Sequence, residues 1–304
     1  MKIISFGSLN IDHVYRVNRF VRPGETLPCQ QYLKYAGGKG ANQSVALARA
    51  GVTVHHAGKI GADGDWLKQE LCARGVDVSM VEISDLPTGH AIIQVNSEGQ
   101  NCIILFGGAN QDVDNQYVHT VLAKCESQDW LLLQNEISNI PEIIHNAHAR
   151  GMYIIFNPAP YTESVDDYPL EKVSLMILNE IEGQELTGRR SPENILDALK
   201  TRFPSSEVVL TLGEKGAMYQ SNGHACRIPA ITVEAKDTTA AGDCFVGYLV
   251  ASLMQAVPLK EAIEIACAAS AICVTRMGAV DSIPTRDEVI SLRFQIESRA
   301  IQFG

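Results

Sequence analysis

Five short apolar runs narrow the architectures open to this chain. They are Ile3-Ile4-Ser5-Phe6, Trp130-Leu131-Leu132-Leu133, Tyr153-Ile154-Ile155-Phe156, Leu175-Met176-Ile177-Leu178 and Val208-Val209-Leu210-Thr211-Leu212. Each is too continuous for a strand with one wet face and fits a strand buried on both. The intervening stretches read as helices: Asp112 to Cys125, Asn139 to Arg150 and Ser191 to Phe203 begin at capping residues, and Gly151 closes the second. The alternation predicts an α/β fold, a Rossmann-like doubly wound, mostly parallel sheet with helices on both faces. The last third reads as three helices, Ala241 to Gln255, Leu259 to Arg276 and Arg286 to Ile301. The first is apolar all round and therefore buried.

Two regions break the rhythm. Residues 11–36 hold Val14-Tyr15-Arg16-Val17 and Gln31-Tyr32-Leu33-Lys34-Tyr35, separated by Pro23-Gly24-Glu25. Residues 88–106 read as a hairpin joined across Asn96-Ser97-Glu98-Gly99-Gln100. Both alternate polar and apolar residues, which predicts a small protruding β-sheet, placed to cover a site as a lid or to pair with a second subunit. With no internal repeat or long linker, 1–304 reads as a single domain carrying that lid.

A chain of 304 residues that is 46% hydrophobic can bury a large core and is not disordered overall. Its 25 basic and 35 acidic residues give a net charge of −10, which argues against nucleic acid or an anionic membrane as the main partner. An anionic small molecule stays possible, since backbone N–H groups bind phosphate without net positive charge. The apolar stretch from Ala262 to Thr275 is too short for a span and contains Glu264. The N-terminus breaks at Gly7 and reads as a strand, not a signal peptide. Eight cysteines without a C-x-x-C pair point to reduced thiols packing as small hydrophobes, and to the cytoplasm.

Several common motifs are missing. No G-x-G-x-x-G follows the first strand, and there is no P-loop, H-E-x-x-H or G-x-S-x-G. The most informative segment is Asp237-Thr238-Thr239-Ala240-Ala241-Gly242-Asp243, where small residues run straight into an apolar helix. Its first-turn N–H groups are open to an anion, and Asp243 is placed to take a proton from a hydroxyl attacking that anion. The plainer alternative, that Asp243 caps the helix, is the commoner role of such an aspartate. In Ala36-Gly37-Gly38-Lys39-Gly40-Ala41-Asn42-Gln43, three glycines let backbone approach a ligand, or simply make a tight turn, and Asn42 opens a helix running to Gly51.

Gly37 to Gln43 resembles the first signature of the ribokinase (PfkB-type) family of carbohydrate kinases, and Asp237 to Asp243 resembles its second, D-T-x-x-A-G-D. Asn157-Pro158-Ala159-Pro160, Asn179-Glu180-Ile181-Glu182 and Thr211-Leu212-Gly213-Glu214-Lys215-Gly216 follow in the family's order. Gly7 to Asp12 stands where its first sugar-contacting strand ends, so the likeness spans essentially the whole chain.

The resemblance implies ATP-dependent phosphorylation of the primary hydroxyl of D-ribose. Asp243 would be the catalytic base, with the N–H groups of Ala241, Gly242 and Asp243 as anion hole. Asn10, Asp12, Gly38, Lys39, Asn42 and Glu136 would hold the sugar. Asn179 and Glu182 would act at the Mg²⁺–phosphate end, Glu182 through water, while Thr211, Gly213 and Gly216 would line the ATP site. A K⁺ site would use Asp237, Thr239, Cys273, Gly278 and Ser282, against the alternative that Asp237 is a satisfied turn residue. The resemblance also implies a homodimer paired through the lid. Two other functions stay open: the same chemistry on deoxyribose, a ketohexose or an adenosine-like nucleoside, and a sugar-binding regulator without catalysis. Asn135, beside Glu136, is expected to bear on the sugar pocket, and His55-His56 to have no metal role.

Overall fold

Alternate residues of β1 (Ile3–Phe6) point into two different cores, as the continuous apolar run requires. Ile3 packs with Leu132, Ile155 and Tyr248, whereas Ile4 and Phe6 pack with Leu131, Leu133 and Ile154 on the other face. The computed structural model describes residues 1–221 and 223–303. Asn222 and Gly304, inside the span read as one domain, lie outside the described residues. A nine-stranded sheet forms the centre. From one edge inward it runs through β5 (Asp77–Ile83), β4 (Val54–Ile60), β1, β8 (Trp130–Gln134), β9 (Tyr153–Asn157), β10 (Leu175–Asn179) and β11 (Glu207–Thr211), all parallel. An antiparallel pair, β12 (Ala217–Ser221) and β13 (His224–Ile228), completes the far edge.

A separate four-stranded sheet holds β2 (Asn10–Arg16) between β3 (Gln31–Gly37) and β6 (Gly89–Val95), with β7 (Asn101–Phe106) outside β6. These strands come from the two regions that break the α/β alternation, and β2 pairs in parallel with β6, an arrangement no local pattern announces. On one face of the main sheet lie α1 (Lys39–Arg49), α7 (Ala241–Met254) and α8 (Leu259–Val274). The opposite face carries α3 (Asn115–Leu122), α4 (Ile140–Ala149), α5 (Glu180–Thr187) and α6 (Pro192–Arg202). Two further helices, α2 (Asp65–Ala73) and α9 (Arg286–Phe303), complete the chain.

Several boundaries differ from the sequence expectation. Helix α1 begins at Lys39, not Asn42, because Gly38 supplies the turn at φ 94°. Helix α3 starts after Asp114, whose carboxylate accepts the Tyr117 N–H at 2.7 Å, so Asp112 lies outside it. Strands β4, β5, β12 and β13 were not among the five expected. Polar residues break up the apolar signal of β4: His56 and Lys59 are buried there only because each has a partner. His56 Nδ1 shares a hydrogen bond with Ser44 Oγ at 2.8 Å, and Lys59 sits 3.4 Å from Asp112 and 3.6 Å from Asp114. Four cysteines (Cys125, Cys244, Cys267, Cys273) pack in the interior as expected, but Cys29, Cys72 and Cys102 are exposed. Among the described residues no helix is long and apolar enough to cross a membrane.

Candidate active site

From β1 the chain winds one way to β4 and β5, then returns to build β8 onward on the other side. Ligands of open parallel sheets bind beyond the carboxyl ends of the strands at such a reversal. Here that position gathers Gly7 to Asn10, Gln134 to Glu136, Asn157, and the first turns of α1 and α7.

Helix α7 enters through Ala240, whose φ of 60° is left-handed and strained for a residue with a Cβ. No side chain caps the helix. The Ala241 N–H donates to the Thr238 carbonyl at 3.2 Å, whereas the N–H groups of Gly242 and Asp243 have no acceptor among the described residues. A Cβ built on Gly242 would meet nothing within 4 Å, so no part of the protein demands a glycine there. The helix mouth opens onto space that a ligand can take, with the positive end of the helix dipole facing it.

Asp243 does not cap this helix. It sits in the first turn, 6% exposed, and its oxygens accept from α1: Asn42 Nδ2 donates to Oδ2 and Gln43 Nε2 to Oδ1, both at 2.9 Å. Each oxygen keeps acceptor capacity for a hydroxyl proton.

The glycine loop before α1 lies against the end of β1: a Cβ on Gly40 would overlap the backbone of Gly7 and Ser8. Close backbone approach therefore explains Gly38 and Gly40 without a ligand. The loop does carry chemistry through its N–H groups, since Lys39 N–H donates to Glu136 Oε2 at 2.9 Å and Gly40 N–H to Ser8 Oγ at 3.2 Å. The Lys39 ammonium is held above its ordinary pKa, chiefly by Asp243 and further by Glu136 and Glu182, against its own burial. Burial pushes Glu136 up, and burial together with Glu136 lifts Asp12 to about 7. Asn10 is buried, and its Oδ1 accepts from Asn110 Nδ2 at 2.7 Å. A cleft of about 510 Å³ runs from Asp12 and Tyr35 under the lid to Asp237, Thr239 and Gly278.

At the other end, Asn179 and Glu182 form a reciprocal cap on α5. Glu182 N–H donates to Asn179 Oδ1 and Asn179 N–H to Glu182 Oε2, both at 2.9 Å. Glu182 is 7% exposed and burial raises its pKa. Thr211 closes β11 beside Asn179, and Gly213, at φ 56°, borders open space. Gly216 has an internal reason: a Cβ there would overlap the Ile228 carbonyl and the backbone beyond it. Asp237 accepts the N–H of Thr239 and of Gly278, each at 2.9 Å, so it is a satisfied loop residue that also clasps two loops together. Cys273 Sγ lies 3.1 Å from Ser282 Oγ and 3.9 Å from the Thr239 carbonyl.

A pfkB family carbohydrate kinase model matches residues 1–286. The chain belongs to the pfkB family of carbohydrate kinases. It is 37% identical over 294 residues to a ribokinase of Haemophilus influenzae, covering 93% of this chain and 95% of the relative. A ribokinase structure from Thermotoga maritima superposes with a TM-score of 0.85 at 32% identity, covering 96% of this chain and 99% of that one. An Arabidopsis thaliana ribokinase structure complexed with ribose and ATP gives the same TM-score at 28% identity, covering 96% and 98%. The chain is therefore a sugar kinase, and its two-sheet architecture is that of the family's solved structures.

In this pfkB kinase the fold draws Asn10, Asp12, Gly38, Lys39, Asn42, Glu136 and Asp243 to one end of the sheet, with Asn179 and Glu182 near enough for Lys39 to sense Glu182. Asn135 turns away: its amide bonds Pro160, Thr162 and Tyr168, so it does not bear on the sugar pocket. Sequence reasoning gave no role to Gln43, Asn110, Gln134 or Gly247. The available signal for the first three was polarity in buried company. Gln43 stands on a helix whose neighbours Ala41, Val45, Ala46 and Leu47 are core, and Gln134 ends an otherwise apolar strand.

Proposed function

We propose that this sugar kinase transfers the γ-phosphoryl group of ATP to the primary hydroxyl of D-ribose, giving ribose 5-phosphate and ADP, with Asp243 receiving the hydroxyl proton. One observation carries this reading: a carboxylate held by two amides stands beside unaccepted N–H groups at an open helix mouth. The N–H groups of Gly242 and Asp243, with Ala241 next to them, offer a preorganised hole for charge on the transferring group. A loose phosphoryl-transfer transition state asks little basicity of Asp243, because the hydroxyl proton leaves late. Asn10, Asp12, Gly38, Lys39, Asn42 and Glu136 hold the sugar hydroxyls. Their mix of carboxylate, amide and ammonium suits a polyol, and leaving any of them unpaired would be costly. The likeness to the ribokinases of Haemophilus influenzae, Thermotoga maritima and Arabidopsis thaliana supports D-ribose as the sugar.

Thr211 and Gly213 border the nucleotide end, with Gly216 shaping the turn behind them. Asn179 and Glu182 are hard oxygen donors there and would hold Mg²⁺, Glu182 through water. Mg²⁺ supplies charge neutralisation on the ATP phosphates. The loop of Asp237, Thr239, Cys273, Gly278 and Ser282 presents carboxylate, hydroxyl and carbonyl oxygens, a donor set that fits K⁺, which would firm the backbone at the anion hole. On the lid, Ile103, Ile104, Leu105 and Phe106 of edge strand β7 are each 48–62% exposed, and such an edge needs a cover. A second copy of the lid supplies it, making a homodimer. Free thiols at all eight cysteines fit a cytoplasmic setting.

The test is ADP release with ATP·Mg²⁺ and D-ribose, 2-deoxyribose, a ketohexose or a nucleoside, in K⁺ and in Na⁺ buffer. The highest kcat/KM is expected with ribose in K⁺. Asp243→Asn is expected to abolish turnover while calorimetric ribose binding persists. A better substrate than ribose overturns the sugar assignment, equal rates in the two salts overturn the K⁺ site, and an active Asp243→Asn overturns the base.

A further inference from the structure

We propose that Gln43 is a positioning residue for Asp243, set in its working orientation by a relay of buried amides through Asn157 and Gln134. The inference rests on Asp243 being the proton acceptor. Gln43 has no exposed surface, and its Nε2 spends one hydrogen on Asp243 Oδ1 at 2.9 Å and the other on Asn157 Oδ1 at 3.0 Å. Its Oε1 accepts from Gln134 Nε2 at 2.8 Å, and Asn157 Nδ2 donates to the Ile177 carbonyl at 2.8 Å.

The direction of this relay is dictated from both ends. An ionised carboxylate and a backbone carbonyl can only accept. Gln43 must therefore turn its NH₂ toward Asp243, and Asn157 must turn its NH₂ toward Ile177 and its oxygen toward Gln43. Flipping either amide would place two acceptors or two donors face to face in a dry interior, where unmet polar groups are expensive. Gln134 is confined in turn by Gly7, where a Cβ would overlap its amide. Helix α1 thus passes the orientation of β8, β9 and β10 to a carboxylate on α7.

Amides do not titrate, so the relay moves no proton. It holds the plane of the carboxylate: Asn42 grips Oδ2, but one bond alone leaves the group free to turn about it. Among the described residues, Asn42 and Gln43 are the side chains bonded to Asp243. Lys39, Glu136, Glu182, Cys244 and Cys273 are the titratable groups that sense its charge.

The experiment compares Gln43→Met, Gln43→Glu and Asp243→Asn with wild type in kcat, KM for D-ribose and ATP, pH profile of kcat, and thermal melting. Loss of alignment in Gln43→Met should lower kcat about 10–100-fold while both KM values stay within about threefold. Gln43→Glu sets a second carboxylate against the first, so the acid limb of its kcat profile should move up by about one pH unit or more. Should Gln43→Met fail to fold, Gln134→Met removes only the bond to Gln43 Oε1, and a several-fold loss in kcat at constant KM is expected from it. Wild-type kcat with an unshifted acid limb overturns the inference, as does a parallel loss of Tm, kcat and substrate affinity, which would mark Gln43 as packing alone. An active Asp243→Asn would sink the base assignment itself. An inactive Asp243→Asn beside wild-type-like Gln43 variants would sink only the positioning role.

Discussion

Gly247 controls how closely the two helices of the site approach. It lies one turn beyond Asp243 on α7, so both face α1. A Cβ at 247 would overlap the Ala46 methyl and stand 3.0 Å from the Gln43 carbonyl oxygen and from the Ala46 carbonyl carbon. Carbon–carbon contacts relax near ~3.8 Å, so relieving the overlap with the Ala46 methyl in Gly247→Ala needs a shift of roughly 1.5 Å. Overpacking of this kind costs about 1–3 kcal/mol, and alanine returns about 1 kcal/mol of helix propensity over glycine. The net loss of stability should stay below about 2 kcal/mol, a fall of roughly 4 °C or less in Tm. Catalysis should suffer far more, because the displaced residues carry both donors to Asp243, and a misplacement near 1 Å can cost about 100-fold in rate. Calorimetric Tm and steady-state kcat on Gly247→Ala and Gly247→Val measure both, with the larger side chain expected to be worse. If Gly247→Val melts like wild type and keeps kcat within about twofold, the close crossing does not set the geometry of the base.

Two other outcomes follow from charge and surface. Asp12, raised to about 7, carries more protons folded than unfolded between its ordinary pKa and that value, so its ionisation lowers stability as pH rises through this window. Ribose affinity should strengthen over the same rise as the carboxylate becomes a full acceptor. Asp12→Asn should flatten both trends in calorimetric titrations from acid to alkaline pH, and an unchanged profile would refute the assignment. On the lid, Ile104→Lys at a 62% exposed edge position should convert a sedimenting dimer to a monomer, and a wild type that sediments as a monomer refutes the lid pairing.

The five continuous apolar runs announced the parallel sheet because two-sided burial leaves that trace whatever the order of strands. The weaker strands leave no continuous apolar trace where long-range partners replace apolarity. His56 in β4 relies on Ser44, and Lys59 on Asp112 and Asp114, none of them close in sequence. Asp243 was legible as a candidate from the small residues around it, yet sequence left capping and catalysis side by side. Excluding the cap needed α1, whose Asn42 and Gln43, about 200 positions away, hold the Asp243 oxygens inside the first turn. Asn179-Glu180-Ile181-Glu182 also spells a reciprocal helix cap, a local signal that places Glu182 in the first turn of α5.

By itself the sequence determined periodicity, composition and short motifs, because those are properties of neighbours along the chain. The α/β layering, the lid and the two glycine-bearing signatures all belong to that class. Tertiary structure alone decided which amide faces which carboxylate, which glycine is empty space and which is a tight crossing, and how far burial lifts Asp12. Each of these depends on groups brought together from distant segments, whose hydrogen bonds and desolvation exist only once the core has closed.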